Sequence, residues 1–266
     1  MDINLPNKFP TSAYRGRFWL GLGSLLTGLS CWQLTVNLSG LPAFILPAPA
    51  DVWSRFVRAI TDGSLLINSG VTLVEVLIGL LSGVTFATAL GYLLAKSRRL
   101  ERVLSPYLVA SQAVPLVAVA PLLIIWFGPG MFSKALICAL IVFFPVLVNT
   151  VVGVRAVPSA LYDLMNSLRA TRAQILLKLE IPAALPIFLG GLRIGATLSV
   201  IGAVVGELVG ADSGLGFLIN VGRGQYDTAL VFVAIFTLIL LALLLYGIVA
   251  FIESRALRWQ EWNKEI

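Results

Sequence analysis

Long apolar runs, separated by short segments rich in proline, glycine or charge, make up most of this chain. A helix that crosses a bilayer needs roughly 20 mostly apolar residues, because the hydrocarbon layer is about 30 Å thick. The pattern therefore predicts a single all-α integral membrane domain over residues 1–266, with about six transmembrane helices. The predicted spans are 18–38, 65–95, 104–127, 133–153, 187–209 and 229–252.

The composition supports lipid as the surrounding solvent. Hydrophobic residues make up 58% of the chain and charged residues 12%, and the mean hydropathy is +0.94. The net charge of +6 is spread between the apolar runs and forms no basic face, so we expect no nucleic-acid binding. The sequence has no histidine, a common proton relay and metal ligand, and neither Cys31 nor Cys138 has metal-site spacing.

The distribution of Lys and Arg predicts the orientation, because these residues concentrate in cytoplasmic loops. With a cytoplasmic N-terminus, the inner segments hold fourteen of the 19 basic residues and the outer segments four, including Lys134, while Arg193 lies within the fifth span. We therefore expect both termini on the cytoplasmic side, N-in and C-in. The first run follows Lys8, Arg15 and Arg17 as a signal peptide would. It is too long for one and lacks a small-x-small cleavage site, so we expect it to remain as the first helix.

An amphipathic helix is predicted over 51–63, on the outer side. Apolar residues recur there at i, i+3, i+4 and i+7 with basic residues opposite. The apolar residues are Trp53, Phe56, Val57 and Ile60, and the basic ones are Arg55 and Arg58. Such a helix lies in the membrane interface, either as an anchor alone or also as a lip that contacts an extracytoplasmic partner.

Two spans carry small residues at every fourth position. These are Gly79, Gly83, Ala87 and Gly91 in the second span, and Gly202, Gly206 and Gly210 in the fifth. Small residues let helix backbones approach closely, so we expect both spans in the packed interior or at a subunit interface. Bends are expected where the third and fourth spans contain Pro115, Pro121 and Pro145.

The longest polar connection, 155–186, has helical order of its own. One predicted helix has an apolar stripe, and a second short helix follows it. The stripe consists of Leu161, Leu164, Met165 and Leu168, and the second helix presents Ile175, Leu176 and Leu179. Exposing such a stripe to the cytosol is unfavourable unless another surface covers it. The pair predicts either a soluble partner protein or a segment that folds back onto the membrane surface.

This connection resembles the EAA loop of the permeases of binding-protein-dependent ABC importers, whose pattern is E-A-A-x3-G-x9-I-x-L-P. The seven fixed positions are occupied here by Asp163, Leu164, Met165, Arg169, Leu179, Ile181 and Pro182. Arg169 in place of the family's glycine is the clearest departure. If that glycine supplies a left-handed turn, Arg169 either adopts this conformation at a cost of roughly 1 kcal/mol or a different turn is used.

The resemblance extends over nearly the whole chain, to the branch of the family that takes up nitrate, sulfonate, taurine, bicarbonate and vitamin precursors. It is carried by Leu46-Pro47-Ala48-Pro49, Ser111 to Pro115, Trp126-Phe127-Gly128, Phe144 to Thr150, Gly191 to Ile194, and Gly206-Glu207. It implies a type I importer fold in a bacterial plasma (inner) membrane. The implied partners are a second permease in a homodimer, two cytoplasmic ATPases and an extracytoplasmic substrate-binding protein.

The resemblance also assigns roles. ATP and Mg would bind to the ATPase partner, because this chain has no G-x4-G-K-[ST] phosphate loop. The 155–186 connection would be the cytoplasmic coupling loop that the ATPases grip. The residues expected to couple are Leu161, Asp163, Leu164, Met165, Leu168, Arg169, Ala170, Arg172 and Ile175.

Ionisable residues within the spans are few. Glu75, Arg193 and Glu207 would each cost about 2.5–3.5 kcal/mol if exposed to lipid, so each should face protein, water or the nearest interface. Glu75 lies deepest and needs a partner that the sequence does not identify. Gln112, Asn149 and Glu207 are candidates for the substrate path, since neutral donors suit transient binding in an import route.

The predicted function is that of a non-enzymatic transport subunit that works by alternating access. The residues Val204 to Gly210 and Gln225 to Thr228 resemble the vitamin-precursor permeases, which favours a heteroaromatic substrate such as riboflavin or a pyrimidine. Nitrate, sulfonate, taurine or bicarbonate is the alternative. An ion-coupled secondary transporter is disfavoured by the absence of histidine and the few intramembrane carboxylates. A membrane-embedded enzyme is disfavoured because no paired carboxylates or Ser/Lys constellation is visible.

Overall fold

The computed structural model describes residues 12–261, which form helices and turns without a strand. The helices are α1 (Ser12–Ser39), α2 (Pro49–Thr61), α3 (Ser64–Lys96), α4 (Arg98–Gln112), α5 (Leu116–Phe127), α6 (Met131–Arg155), α7 (Ser159–Ser167), α8 (Arg172–Ile175), a π-helical segment (Leu176–Glu180), α9 (Ile181–Gly210), α10 (Leu215–Gly224), α11 (Thr228–Ala256) and α12 (Arg258–Glu261). The all-α fold class is confirmed. The predicted N-in, C-in orientation stays a prediction, and residues 1–11 and 262–266, including Lys8, lie outside the described part.

Four helical runs of the described chain are long and apolar enough to cross a membrane: α3, α6, the continuous run Arg172–Gly210, and α11. The pair formed by α4 and α5 would be a fifth. The helix predicted over 18–38 lies within α1, which has polar residues such as Gln33 and Asn37 and is less apolar than these four. The structure therefore supports four or five spans, and a sixth stays a prediction.

The third predicted span, 104–127, is not one straight helix. The chain bends by 95° between α4 and α5. Pro115 lacks a backbone N–H and disfavours a helical conformation for Val114, so α4 ends at Gln112 and a new helix starts after Pro115. The bend expected from the prolines is therefore large enough to make two separate helices.

The core is a layer in which α6 lies between α3 and α9. A Cβ atom added to Gly83 of α3 would lie 2.8 Å from the carbonyl oxygen of Ala139, and one added to Gly202 of α9 would lie 2.7 Å from Cα of Cys138. Neither position has space for a side chain. The expectation that the small residues of these two spans permit close packing is confirmed, with α6 as the shared neighbour.

Helices α1, α2 and α11 contact one another at the end of the core where α10 lies. Helix α2 occupies the place of the predicted interfacial helix 51–63, and its Arg55 donates to Asp227 at 2.7 Å. Asp227 also caps α11 by accepting from the N–H of Leu230 at 3.0 Å. Trp32 of α1 stacks on Phe232 of α11, with ring centroids 5.3 Å apart. These contacts fasten α1 and α2 to α11.

Candidate functional site

The coupling segment, which we define as α7, α8 and the π-helical segment, contains a tightly specified turn between α7 and α8. Arg169 has a φ of 52° and lies directly after α7. Its N–H donates to the carbonyl of Asn166 at 2.9 Å, and the N–H of Ala170 donates to the carbonyl of Met165 at 3.0 Å. These are the two hydrogen bonds of a Schellman motif. Of the two turns expected for Arg169, the left-handed one is therefore confirmed.

A capping box starts α8 immediately after this turn. The Thr171 side chain accepts from the N–H of Gln174 at 3.3 Å, and the Gln174 side chain accepts from the N–H of Thr171 at 2.8 Å. The backbone groups at the end of one helix and the start of the next are thus satisfied locally. The direction of α8 relative to α7 is fixed by a turn of few residues.

The apolar stripe of α7 remains at the surface of the described chain. The exposed fractions are 39% for Leu161, 55% for Leu164 and 69% for Leu168, whereas Met165 is half-buried. Of the other predicted coupling residues, Asp163, Arg169 and Arg172 are exposed, and Ala170 and Ile175 are half-buried. The structure therefore places the candidate residues on one short helix pair and leaves its leucines without a covering element.

A buried carboxylate fastens the coupling segment to α3. Glu180, at the end of the π-helical segment, is 2% exposed and forms an ion pair with Lys96. It also accepts from the hydroxyl of Tyr92 at 3.0 Å. The Lys96 ammonium lies 5.2 Å from the ring centroid of Tyr162 on α7. Burial and the neighbouring Glu180 carboxylate raise the pKa of Tyr162 to about 12.

Sequence reasoning did not identify Glu180 as a functional residue. A carboxylate flanked by two apolar residues, Leu179 and Ile181, is the signal that could have found it. Its partners Tyr92 and Lys96 lie more than eighty positions away in sequence, with separations of 88 and 84. No local pattern connects residues at such distances.

A second attachment joins the start of this loop to its neighbours. Arg155 at the end of α6 donates through both terminal nitrogens to the carboxylate of Glu101, each at 2.7 Å. It also donates to the carbonyl of Leu94 at 3.0 Å. Such a two-pronged pair fixes geometry as well as charge. The ends of α3, α4 and α6 nearest the coupling segment are thus held together.

The opposite end of the core holds a polar cluster, defined as Asn68, Thr72, Glu75, Lys134 and Glu207. Glu75 pairs with Lys134 at 2.8 Å, and both side chains are almost completely buried. The partner that the sequence could not identify for Glu75 is thus Lys134. Lys134, which the charge count assigned to an outer segment, lies in the first turn of α6 and faces the interior, and the side of the membrane on which it lies stays a prediction.

The remaining members of the cluster hold the start of α10. Asn68, Thr72 and Glu207 accept from three consecutive backbone N–H groups, those of Gly214 at 2.7 Å, Leu215 at 2.8 Å and Gly216 at 2.6 Å. The Thr72 hydroxyl also donates to the carboxylate of Glu207 at 2.6 Å. Glu207 is fully buried, so in this conformation it fixes helices rather than lining an open path.

The three substrate-path candidates are not brought together. Gln112 is exposed at the end of α4, where it lines a cavity of about 220 Å³ against α6. Asn149 packs on Gly191 in the seam between α6 and α9. Glu207 lies sixteen residues beyond Gly191 on α9, about 24 Å further along that helix.

Arg193, expected to face protein, water or the nearest interface, has partners on α11. It forms an ion pair with Glu253 of α11. It also donates to the hydroxyl of Tyr246 at 3.2 Å. Lys134 and Arg193 are therefore each already paired with a carboxylate.

Comparisons with known proteins agree with this architecture. Residues 79–258 match the family described as binding-protein-dependent transport system inner membrane component. The riboflavin transport system permease protein of Chloroflexus aurantiacus is 48% identical, over 91% of both chains. The formylaminopyrimidine transport permease protein of Halalkalibacterium halodurans is 35% identical, over 87% of this chain and 91% of its own length.

Another relative and one solved structure extend the comparison. The taurine transport system permease protein of Escherichia coli is 30% identical, over 90% of this chain and 89% of its own length. A chain of the inward-facing MetNI methionine ABC transporter superposes with a TM-score of 0.62 and 19% identity, covering 71% of this chain and 94% of that one. At this identity the likeness establishes the fold only.

Proposed function

The chain belongs to the family of binding-protein-dependent transport system inner membrane components, and we propose that it forms the substrate path of an importer for a heteroaromatic vitamin or vitamin precursor. It is the multi-pass permease component of an ABC importer of the inner membrane. The observation that carries the finer proposal is 48% identity to a riboflavin transport permease over 91% of the chain.

The paired cations of the spans support this substrate class. A small oxyanion such as nitrate or a sulfonate is best met by an unpaired cation in the cavity that receives it. Lys134 is held by Glu75, and Arg193 by Glu253. Neither charge is available without breaking an ion pair, whereas a neutral heteroaromatic ring needs none.

Separate ATPase subunits supply the energy in this proposal. Two such subunits bind the coupling segments of two permease copies, and ATP and Mg bind to those subunits. An extracytoplasmic binding protein delivers the substrate. The exposed leucines of α7 supply the contact area, because burying apolar surface is the main driving force of such association.

The attachments of the coupling segment provide a route for movement. The segment continues without interruption into α9, and the ion pair between Glu180 and Lys96 links it to α3. When the ATPases close, displacement of the two segments tilts α9 and α3 together and exposes the path alternately to either side.

Relatives named for sulfur compounds give the alternative substrate class. A putative aliphatic sulfonates transport permease of Bacillus subtilis is 34% identical over 87% of this chain. The machinery would be the same, with a different ligand presented by the binding protein.

An uptake measurement separates the two classes. The permease, co-expressed with its ATPase and binding protein in cells that lack endogenous uptake, is expected to accumulate labelled riboflavin or formylaminopyrimidine, and excess taurine is expected not to compete. Uptake of taurine without uptake of either vitamin compound would overturn the substrate proposal. ATP-independent uptake would overturn the proposed coupling.

A further inference from the structure

An apolar groove lies between α3, α6 and α9, at the end of the core nearest the coupling segment. Its volume is about 420 Å³ and its lining is almost entirely apolar. The lining includes Ala89, Val154, Ile181, Leu185 and Phe188. Ala89 and Ile181 are exposed, so the groove opens on the outside of helices that are apolar enough to span a membrane.

A second cavity, with a different character, adjoins the groove. It has a volume of about 370 Å³, and Lys96, Tyr162 and Arg172 contribute to its lining. Tyr92 and Glu180 line both cavities. The two cavities are thus neighbours that share two wall residues, one cavity apolar and beside the last turns of α3, the other basic and at the end of α3.

The charges in the second cavity do not cancel. The carboxylate of Glu180 is neutralised by Lys96. Arg172 is exposed and forms no salt bridge with any residue that the structure describes. The cavity therefore retains one positive charge that is not paired with any described carboxylate.

A hydrogen-bond donor is also left over inside the groove. The Thr88 hydroxyl is buried and has no hydrogen-bond partner among residues 12–261. It lies one turn deeper than Tyr92, about 6 Å along α3. An acceptor supplied by a ligand at this depth would satisfy it, which matters because an unsatisfied buried hydroxyl is unfavourable.

We propose that the groove and the basic cavity together bind one anionic phospholipid from the leaflet that faces the coupling segment. An acyl chain fills the groove, the phosphate lies against Arg172, and the Thr88 hydroxyl donates to an ester carbonyl. Basic pockets between transmembrane helices are recognised sites for anionic head groups. A phospholipid is the one abundant molecule at this boundary that combines a long apolar chain with a negative charge.

Native mass spectrometry of the full chain in detergent tests this proposal without measuring transport. The protein is offered equal amounts of phosphatidylglycerol and phosphatidylcholine with identical acyl chains. The parent protein is expected to retain phosphatidylglycerol preferentially. Arg172→Gln should reduce phosphatidylglycerol binding about fivefold and leave phosphatidylcholine binding unchanged. Ala89→Phe, which fills the groove from its exposed rim, should reduce binding of both lipids.

Lys178→Gln is the matched control, because Lys178 is an exposed cation of the same segment that lines neither cavity. It should bind lipid as the parent does. Equal retention of the two lipids by the parent, or equal losses in Lys178→Gln and Arg172→Gln, would overturn the proposal. If the Ala89 variant does not fold, Thr88→Val preserves the shape and removes the donor. Unchanged phosphatidylglycerol binding in that variant would contradict the assigned carbonyl contact.

Discussion

The polar cluster and the coupling segment both contain side chains in an unfavourable environment, but of opposite kinds: the cluster buries charges, and the coupling segment exposes leucines. At one end of the core, charged Glu75 and Lys134 are buried among apolar helices. At the other end, Leu164 and Leu168 are exposed on a polar connection. The buried groups of the cluster find partners within the chain. Glu75 pairs with Lys134, and three side chains accept from backbone N–H groups at the start of α10: Asn68, Thr72 and Glu207.

Around the turn between α7 and α8, the backbone also finds its partners within the chain. The turn at Arg169 and the cap at Thr171 satisfy the main chain, while the leucines of α7 are left without contacts that would bury them. The polar cluster, whose charged and polar groups are paired within one chain, holds the helices of that chain together. A rigid backbone with an uncovered apolar face instead indicates a surface prepared for another protein.

The largest effect is expected from removing one charge of the cluster. Lys134→Met leaves the Glu75 carboxylate buried without its partner, and loss of one member of a buried pair costs about 3–5 kcal/mol of stability. The free energy of unfolding, measured by denaturant titration in mixed micelles, should fall by that amount.

Removing both charges is the control for this prediction. Lys134→Met combined with Glu75→Leu leaves no unpaired charge, so most of the lost stability should return. If the single variant is as stable as the parent, or if the double variant is the less stable of the two, the cluster does not hold the core together by charge pairing.

The second effect concerns the uncovered face. Leu164 and Leu168 are 55% and 69% exposed, so truncating both to alanine removes a little over half of the burial energy of two leucines, about 2–4 kcal/mol at an interface. The affinity for the ATPase should fall roughly 30- to 700-fold. The measurement is the concentration of purified ATPase that half-saturates the detergent-solubilised permease.

A matched pair on α3 shows whether the location of the leucines matters. Leu66 and Leu81 are 63% and 67% exposed, and truncating both to alanine should leave ATPase affinity unchanged. Equal affinities for the two double variants and the parent would show that α7 is not the contact surface.

The two regions also differ in how far the sequence predicts them. The coupling segment is local: its stripe, its caps and its resemblance to the EAA loop all lie within residues 155–186. The cluster joins residues 59 positions apart at Glu75 and Lys134, and 146 positions apart at Asn68 and Gly214. No periodicity encodes such pairs, so the sequence showed only that Glu75 needed a partner.

The fold also has features that the sequence predicts and features that it does not. Rows of small residues predicted the close packing of the core correctly, because spacing on one helix is sufficient to reveal a packing face. The prolines predicted a bend in the third span, but its angle of 95° depends on how α4 and α5 each pack against other helices. The polarity of α1 left its role as a span open.

A smaller effect is expected at the start of α8. Thr171→Ala removes the side-chain acceptor of the Gln174 N–H, and loss of such a cap costs about 1 kcal/mol. Hydrogen exchange at Gln174 should become about fivefold faster. Thr171→Ser retains the hydroxyl and should exchange as the parent does; faster exchange in the serine variant would show that the cap is not what protects this amide.

The smallest effect, and the most informative about the turn, is expected at Arg169. A left-handed conformation costs an ordinary residue about 1–2 kcal/mol, and glycine avoids this cost but loses about 0.4–1 kcal/mol through the greater freedom of its unfolded chain. Arg169→Gly should therefore bind the ATPase as well as the parent or slightly better. Arg169→Ala removes the same charge but keeps the strain, so the difference between glycine and alanine reports the strain of the turn, reduced by the cost of glycine's freer unfolded chain. Arg169→Val should bind worst, because a β-branched residue is a true outlier at positive φ. If glycine and alanine weaken binding equally, the guanidinium rather than the left-handed turn is what the ATPase requires, and the backbone of the coupling segment is less decisive than its surface.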